Sequence, residues 1–173
     1  MKSFVLLFLL AGCGAIDRPD GGTDGGALWP EGALKLGAEE PDGGGFIAMP
    51  AESLATPGAQ GGFHVPVMYR VNGRSLPGVV FEHRVTRSRD GTLVSKGTRT
   101  LDVGPVSVGA SWTTPSAVII FLCPTPVGVS VVGEDLSFEV TAKKDGELLG
   151  KAGASTVFRC PPGNAFCDSI CRG

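Results

Sequence analysis

Histidine is scarce in this chain of 173 residues, with only His64 and His83 present. Two imidazoles exclude a three-histidine zinc site and leave a histidine-dependent triad little to draw on. No His-Glu-x-x-His pair occurs, and no glycine-rich loop precedes a lysine as a phosphate cradle requires. Charged residues make up 18% and the net charge is −2, so no nucleic-acid partner is expected. Two tryptophans and one tyrosine offer few rings on which a sugar could stack. No apolar run approaches the ~20 residues a helix needs to cross a bilayer. No long stretch repeats with the 3.6-residue period of an amphipathic helix either.

The N-terminus carries the sharpest pattern. Lys2 is followed by Phe4-Val5-Leu6-Leu7-Phe8-Leu9-Leu10-Ala11, a short apolar core that ends in small residues, the layout of a secretory signal. Leu10-Ala11-Gly12-Cys13 closes it. Residues 1–13 resemble the signal and lipobox of bacterial lipoproteins, with leucine three places before the cysteine and small residues between. That resemblance implies a signal peptide over 1–12, cleavage after Gly12, and lipid attachment at Cys13. Two or more acyl chains hold a protein stably on a membrane, where one does not. Gly14 stands where an aspartate would favour inner-membrane retention, so the resemblance implies a bacterial cell envelope location, the outer membrane before the inner.

Residues 14–27 are rich in glycine and aspartate and almost free of apolar side chains, a composition that cannot offset the entropy of ordering. With Cys13 they read as a lipidated cysteine and flexible tether over 13–27, spanning about 20 Å. Aspartates and glycines also recur in calcium-binding nonapeptides, but the nine-residue repeat is missing here.

Beyond the tether the pattern is that of strands. Phe63, Val65, Val67, Tyr69 and Val71 alternate with His64, Pro66, Met68 and Arg70, as a half-buried strand does. Leu136, Phe138, Val140 and Ala142 alternate in the same way with polar residues. Ala117–Cys123 is continuously apolar and reads as a central strand covered on both faces; Val79–Val85 and Ala154–Cys160 are two more. Val85–Gly97 and Val140–Ala152 align without gaps around Asp90-Gly91 and Asp145-Gly146, the dipeptide of a type I′ hairpin turn. Two hairpins converging on one turn chemistry explain this without an ancient duplication. The expected class is all-β: an antiparallel immunoglobulin-like β-sandwich over 28–160 with a disulfide-bonded C-terminal tail over 161–173, a small barrel being the alternative. Trp112 is a candidate core anchor, although the immunoglobulin order of Cys, Trp and Cys is not reproduced.

Cys123, Cys160, Cys167 and Cys171 remain once Cys13 is lipidated, an even number in an exported chain. Phe121-Leu122-Cys123-Pro124 and Phe158-Arg159-Cys160-Pro161 share a local form at strand ends. This pairs Cys123 with Cys160 and leaves Cys167 to Cys171. Neither Cys-x-x-Cys chemistry nor paired zinc spacings are present, so no metal and no cofactor is expected.

Ser107 and Ser130 fit no Gly-x-Ser-x-Gly elbow. By parity His64 faces solvent and His83 is partly buried. Between residues 70 and 99 stand seven bases and two acids, a basic island in an otherwise acidic chain. Within it Arg84, Arg87, Arg89 and Lys96 form a candidate anionic-ligand surface on one hairpin. Gly58-Ala-Gln-Gly-Gly-Phe-His64 resembles a Gly-x-Gln-Gly-Gly-x-His stretch of uncharacterised envelope lipoproteins, a group that lends no activity. The expected function is that of a lipid-anchored envelope protein, held to the membrane by its anchor, acting as a non-catalytic binding or structural module. An anionic envelope polymer or a protein would be its partner. The alternative is an envelope enzyme or metal-handling protein.

Overall fold

The computed structural model describes residues 29–40, 45–104, 111–114 and 117–173. The signal, Cys13, the tether and Ser107 lie outside the described residues, as does the side chain of Trp112. What is described is almost wholly strand, and no helix in it is long and apolar enough to cross a membrane.

Eleven strands and one short helix follow one another among these residues: β1 (Leu34–Glu39), β2 (Phe46–Ala48), β3 (Glu52–Leu54), β4 (Thr56–Pro57), β5 (Phe63–Asn72), β6 (Leu76–Arg87), β7 (Leu93–Val103), β8 (Ser111–Thr113), β9 (Val118–Cys123), β10 (Asp135–Lys144), β11 (Glu147–Arg159) and α1 (Ala165–Ile170). They form two sheets. In the first, β5 is the spine: it pairs with β1, β4, β8 and β9, and β2 extends the sheet beyond β1. The second runs β3-β11-β10-β6-β7, antiparallel except where β3 joins β11. Between them lies one apolar core, in which Tyr69 of the first sheet stacks on Phe81 of the second with ring centroids 4.5 Å apart.

Strand β10 has the alternation expected of it, with Leu136, Phe138, Val140 and Ala142 all buried. The expectations for β5 and β9 are exchanged. β5 is covered on both faces, because it is the central strand of its sheet and His64 and Met68 on its outer side are enclosed as well. β9, read as a covered central strand, pairs only with β5 and turns Ile119 and Phe121 outward. An edge position exposes one face that hydrophobicity alone cannot reveal.

The two Asp-Gly hairpins exist, side by side in the second sheet, but only one has the expected turn. Asp145 and Gly146 both take positive φ, 51° and 86°, and join β10 to β11 in the two-residue I′ form. At the β6–β7 end only Gly91 does so, and five residues, 88–92, make the connection. The difference lies in side chains. Asp90 accepts from the Thr92 amide at 3.1 Å and grips Arg87, drawing the loop into a wider turn.

The tail is built around the short helix α1. Asn164 caps α1 by accepting from the Cys167 amide at 2.9 Å. Cys167 and Cys171, four residues apart, stand on one face with their sulfurs 3.8 Å from each other, and both are fully buried. The bonds are Cys123–Cys171 and Cys160–Cys167, which overturns the pairing of Cys123 with Cys160 and of Cys167 with Cys171. The helix lays its two sulfurs side by side, each against a different strand end. One bond reaches the end of β9 in the first sheet; the other reaches the residue after β11 in the second.

Candidate functional site: the free edge of β7

The basic hairpin separates into two kinds of residue. Arg84 of β6 and Lys96 of β7 are directly opposite in register, both exposed on the outer face of the second sheet. Like charges so placed repel, and among the described residues neither has an ion-pair partner. Arg87 points the other way. Its guanidinium is buried and gives two hydrogen bonds to Asp90, 3.1 and 2.7 Å, and a third to the Ser130 carbonyl at 3.1 Å. That grip, with the Thr92 amide, holds the Asp90 carboxyl well below the usual carboxylate range. Arg89 reaches Glu134 at 3.2 Å. Arg87 and Arg89 are thus committed within the protein, and of the four candidate cations Arg84 and Lys96 remain available.

The outer face around that pair is a shallow hollow of about 540 Å³ that also includes Glu82 and Glu139, so its charge is balanced. Lys143 holds Glu82 at 2.8 Å.

Round the rim of β7 the balance changes. β7 is the last strand of the second sheet, β9 lies at an edge of the first, and two clefts open between them. One, about 270 Å³, is lined by His83, Ser95, Lys96, Gly97, Thr98, Arg99, Ile119 and Phe121. The other, about 560 Å³, is lined by Thr56, Pro57, Gly58, Ala59, Gln60, His64, Arg99, Ile119 and Phe121. They share Arg99, Ile119 and Phe121, and among the described residues neither is lined by a carboxylate. No acid pairs with Arg99 among the described residues.

Both histidines therefore border this groove. His64 is 6% exposed, against the expectation that it faces solvent, because Phe121 of β9 and the loop ending in Gly62 cover it. Its ring meets Phe121 edge-on at 5.5 Å between centroids. The glycines of the Gly-x-Gln-Gly-Gly-x-His stretch make this packing fit. A Cβ on Gly58 would come within 2.9 Å of the Phe121 ring, and one on Gly62 within 2.6 Å of the Cys123 carbonyl. His83 is half-buried on the inner face of β6 beneath Gly97, where a Cβ would lie 2.6 Å from the imidazole. The Nδ1 atoms of both rings are enclosed without a hydrogen-bond partner among the described residues. Burial lowers the pKa of each, and the Arg99 charge lowers that of His83 further. Both imidazoles are therefore neutral at pH 7.

Arg99, Gln60 and the exposed pair Ile119 and Phe121 were not singled out from sequence. Arg99 was one base among seven, and the two apolar residues were hidden in a run that reads as core. Ser130 is engaged through its carbonyl by Arg87. The sulfurs of Cys160, Cys167 and Cys171 lie within 4.8 Å of one another, yet all are consumed in disulfides, and the thiolate is the form that binds metal.

No family model matches the chain, and no curated protein does. Among solved structures it is similar to a candidate beta-galactosidase from Bacteroides fragilis. The identity is 14% and the TM-score 0.32, with 58% of this chain covered. The matched part is 15% of that protein.

Proposed function

We propose that this chain is a lipid-anchored protein of the bacterial envelope, a non-catalytic module that binds an anionic ligand at the β7 edge. The anchor rests on Leu10-Ala11-Gly12-Cys13 and the apolar core before it. Two disulfides suit the oxidising compartment that such an address implies. We read the domain as immunoglobulin-like: strands β11-β10-β6-β7 with two adjacent hairpins on one side, and β1-β5-β9 on the other.

One observation carries the binding reading. Arg99 borders both clefts and Lys96 the smaller one, and their described lining holds two imidazoles and no acid, in a chain whose net charge is negative. An arginine fork accepts a carboxylate or phosphate through two parallel hydrogen bonds. Retention of the full chain on immobilised anionic polysaccharide, measured against salt, tests it. Exposed contacts are screened over ~8 Å at physiological ionic strength, so retention falls steeply as salt rises. Lys96→Gln with Arg99→Gln abolishes it, while Lys151→Gln leaves it intact. Equal retention of the double variant and the wild type at low salt would refute the site. The anchor is read separately: the mature chain begins at Cys13 with acyl mass, and Cys13→Ser leaves an uncleaved precursor.

A further inference from the structure

We propose that the cleft at Phe121 is a subsite for a sugar acid, a pyranose ring that bears a carboxylate. The inference rests on the anionic-ligand reading of the β7 edge and names the class of ligand.

Charge comes first. Arg99 is common to both clefts, has no carboxylate partner among the described residues, and shares one cleft with Gln60 and the other with Ser95 and Thr98. Its planar fork fits a carboxylate in two-point contact. A bare phosphate or sulfate would use that charge and the neighbouring hydroxyl and amide donors, but no apolar surface. The middle of the groove, however, is apolar: Ile119 is 43% exposed and Phe121 42%. Phe121 is fixed in place, with His64 against it edge-on and the space beside it kept by Gly58. An anion with an apolar ring face satisfies both halves of the site.

Two kinds of ring remain, an aromatic acid and a sugar acid. The rest of the lining decides between them. Thr56, Gln60, Ser95 and Thr98 bring hydroxyl and amide groups that both donate and accept, the complement of ring hydroxyls. An aromatic acid would leave them unused. The larger cleft, about 560 Å³, is within the range of ligand pockets. The C–H face of the pyranose would lie on Phe121, its carboxylate on Arg99 and its hydroxyls toward Gln60.

The test uses the full chain in neutral detergent micelles, with backbone amide shifts followed by NMR. Methyl glucuronide is the probe; methyl glucoside, phenylacetate and inorganic phosphate are the comparisons. Glucuronide is expected to move the amides of residues 60–64, 99 and 119–121 in a saturable way. Glucoside, lacking the charge, should bind at least about tenfold more weakly. Arg99→Gln should weaken glucuronide by a similar factor and Phe121→Leu by several-fold, with melting temperatures kept. Phosphate or phenylacetate moving the same amides at equal or lower concentration would overturn the sugar-acid assignment. So would a glucuronide response unchanged in Phe121→Leu. If glucuronide has no effect while polymer retention still depends on Lys96 and Arg99, the ligand class falls and the anionic reading stands. If both fail, both fall.

Discussion

Tyr69→Phe is expected to stabilise the protein, although it removes a polar atom from the middle of the core. The tyrosine ring is 1% exposed and stacked on Phe81, so the substitution keeps the packing and deletes only the hydroxyl. That hydroxyl is enclosed and has no hydrogen-bond partner among the described residues. An unpaired buried hydroxyl costs roughly 1–3 kcal/mol in desolvation, and partial relaxation puts the gain near the lower end, about 1 kcal/mol. For a domain of this size that is about 3 °C in melting temperature. A second readout comes from pH. Burial raises the Tyr69 pKa well above its ordinary value of 10, and the Arg99 charge opposes the rise only in part. A raised native pKa means a contribution that is whole below pH 10 and is lost as pH climbs toward the native value. The wild type is therefore expected to lose about 1.4 kcal/mol relative to Tyr69→Phe by about pH 11. Urea denaturation of both proteins at neutral pH and at alkaline pH measures each quantity. A variant less stable than the wild type by 1 kcal/mol or so, or parallel alkaline profiles, would refute the reasoning and reveal a partner for the hydroxyl.

Removing the Cys123–Cys171 bond by paired alanine substitution is expected to cost about 4 kcal/mol, and removing Cys160–Cys167 about 2.5, in the chain-entropy model. The order follows from sequence separations of 48 and 7, and urea midpoints report it. Gly97→Ala pushes a methyl into His83 and should cost about 1–3 kcal/mol, with His83→Ala relieving much of the loss in the double variant. Asp90→Asn should remove an acid-dependent component of stability. The Asp90 carboxyl is held low by Arg87, so its contribution is present above about pH 4 and lost as pH falls through the native value. Chemical denaturation between pH 5 and about pH 2 would show the asparagine variant with the shallower decline, and equal slopes would count against the Arg87 grip.

Alternation made β10 legible, because one face of it meets the core and the other meets water. It misled at β5, as the continuous apolar run did at β9, because burial there depends on rank within the sheet and not on the strand's own residues. His64 follows from that error: parity put it outside, and the outer face of a central strand proved to be covered. The four cysteines were legible as two bonds, but their partners were not. Pairing depends on the direction in which α1 presents Cys167 and Cys171, and six helical residues carry almost no periodic signal. The basic island was legible as composition. Which of its arginines are available was not, since Asp90, Glu134 and the Ser130 carbonyl claim Arg87 and Arg89 only after folding. Arg99 entered the groove because β7 is an edge, a fact of topology.

The dependence of four strands on β5 has a kinetic consequence. β4, β8 and β9 take their sheet hydrogen bonds from β5, and β1 finds elsewhere only the three residues of β2. Val65 meets Ile120 across more than fifty residues of chain, so that pairing closes a long loop before it returns any stability. The other side of β5 stays open until β8 and β9 arrive. The amides of β5 are thus expected to be among the slowest to exchange with solvent, while the β10–β11 hairpin, closed by its own two-residue turn, is free to form early.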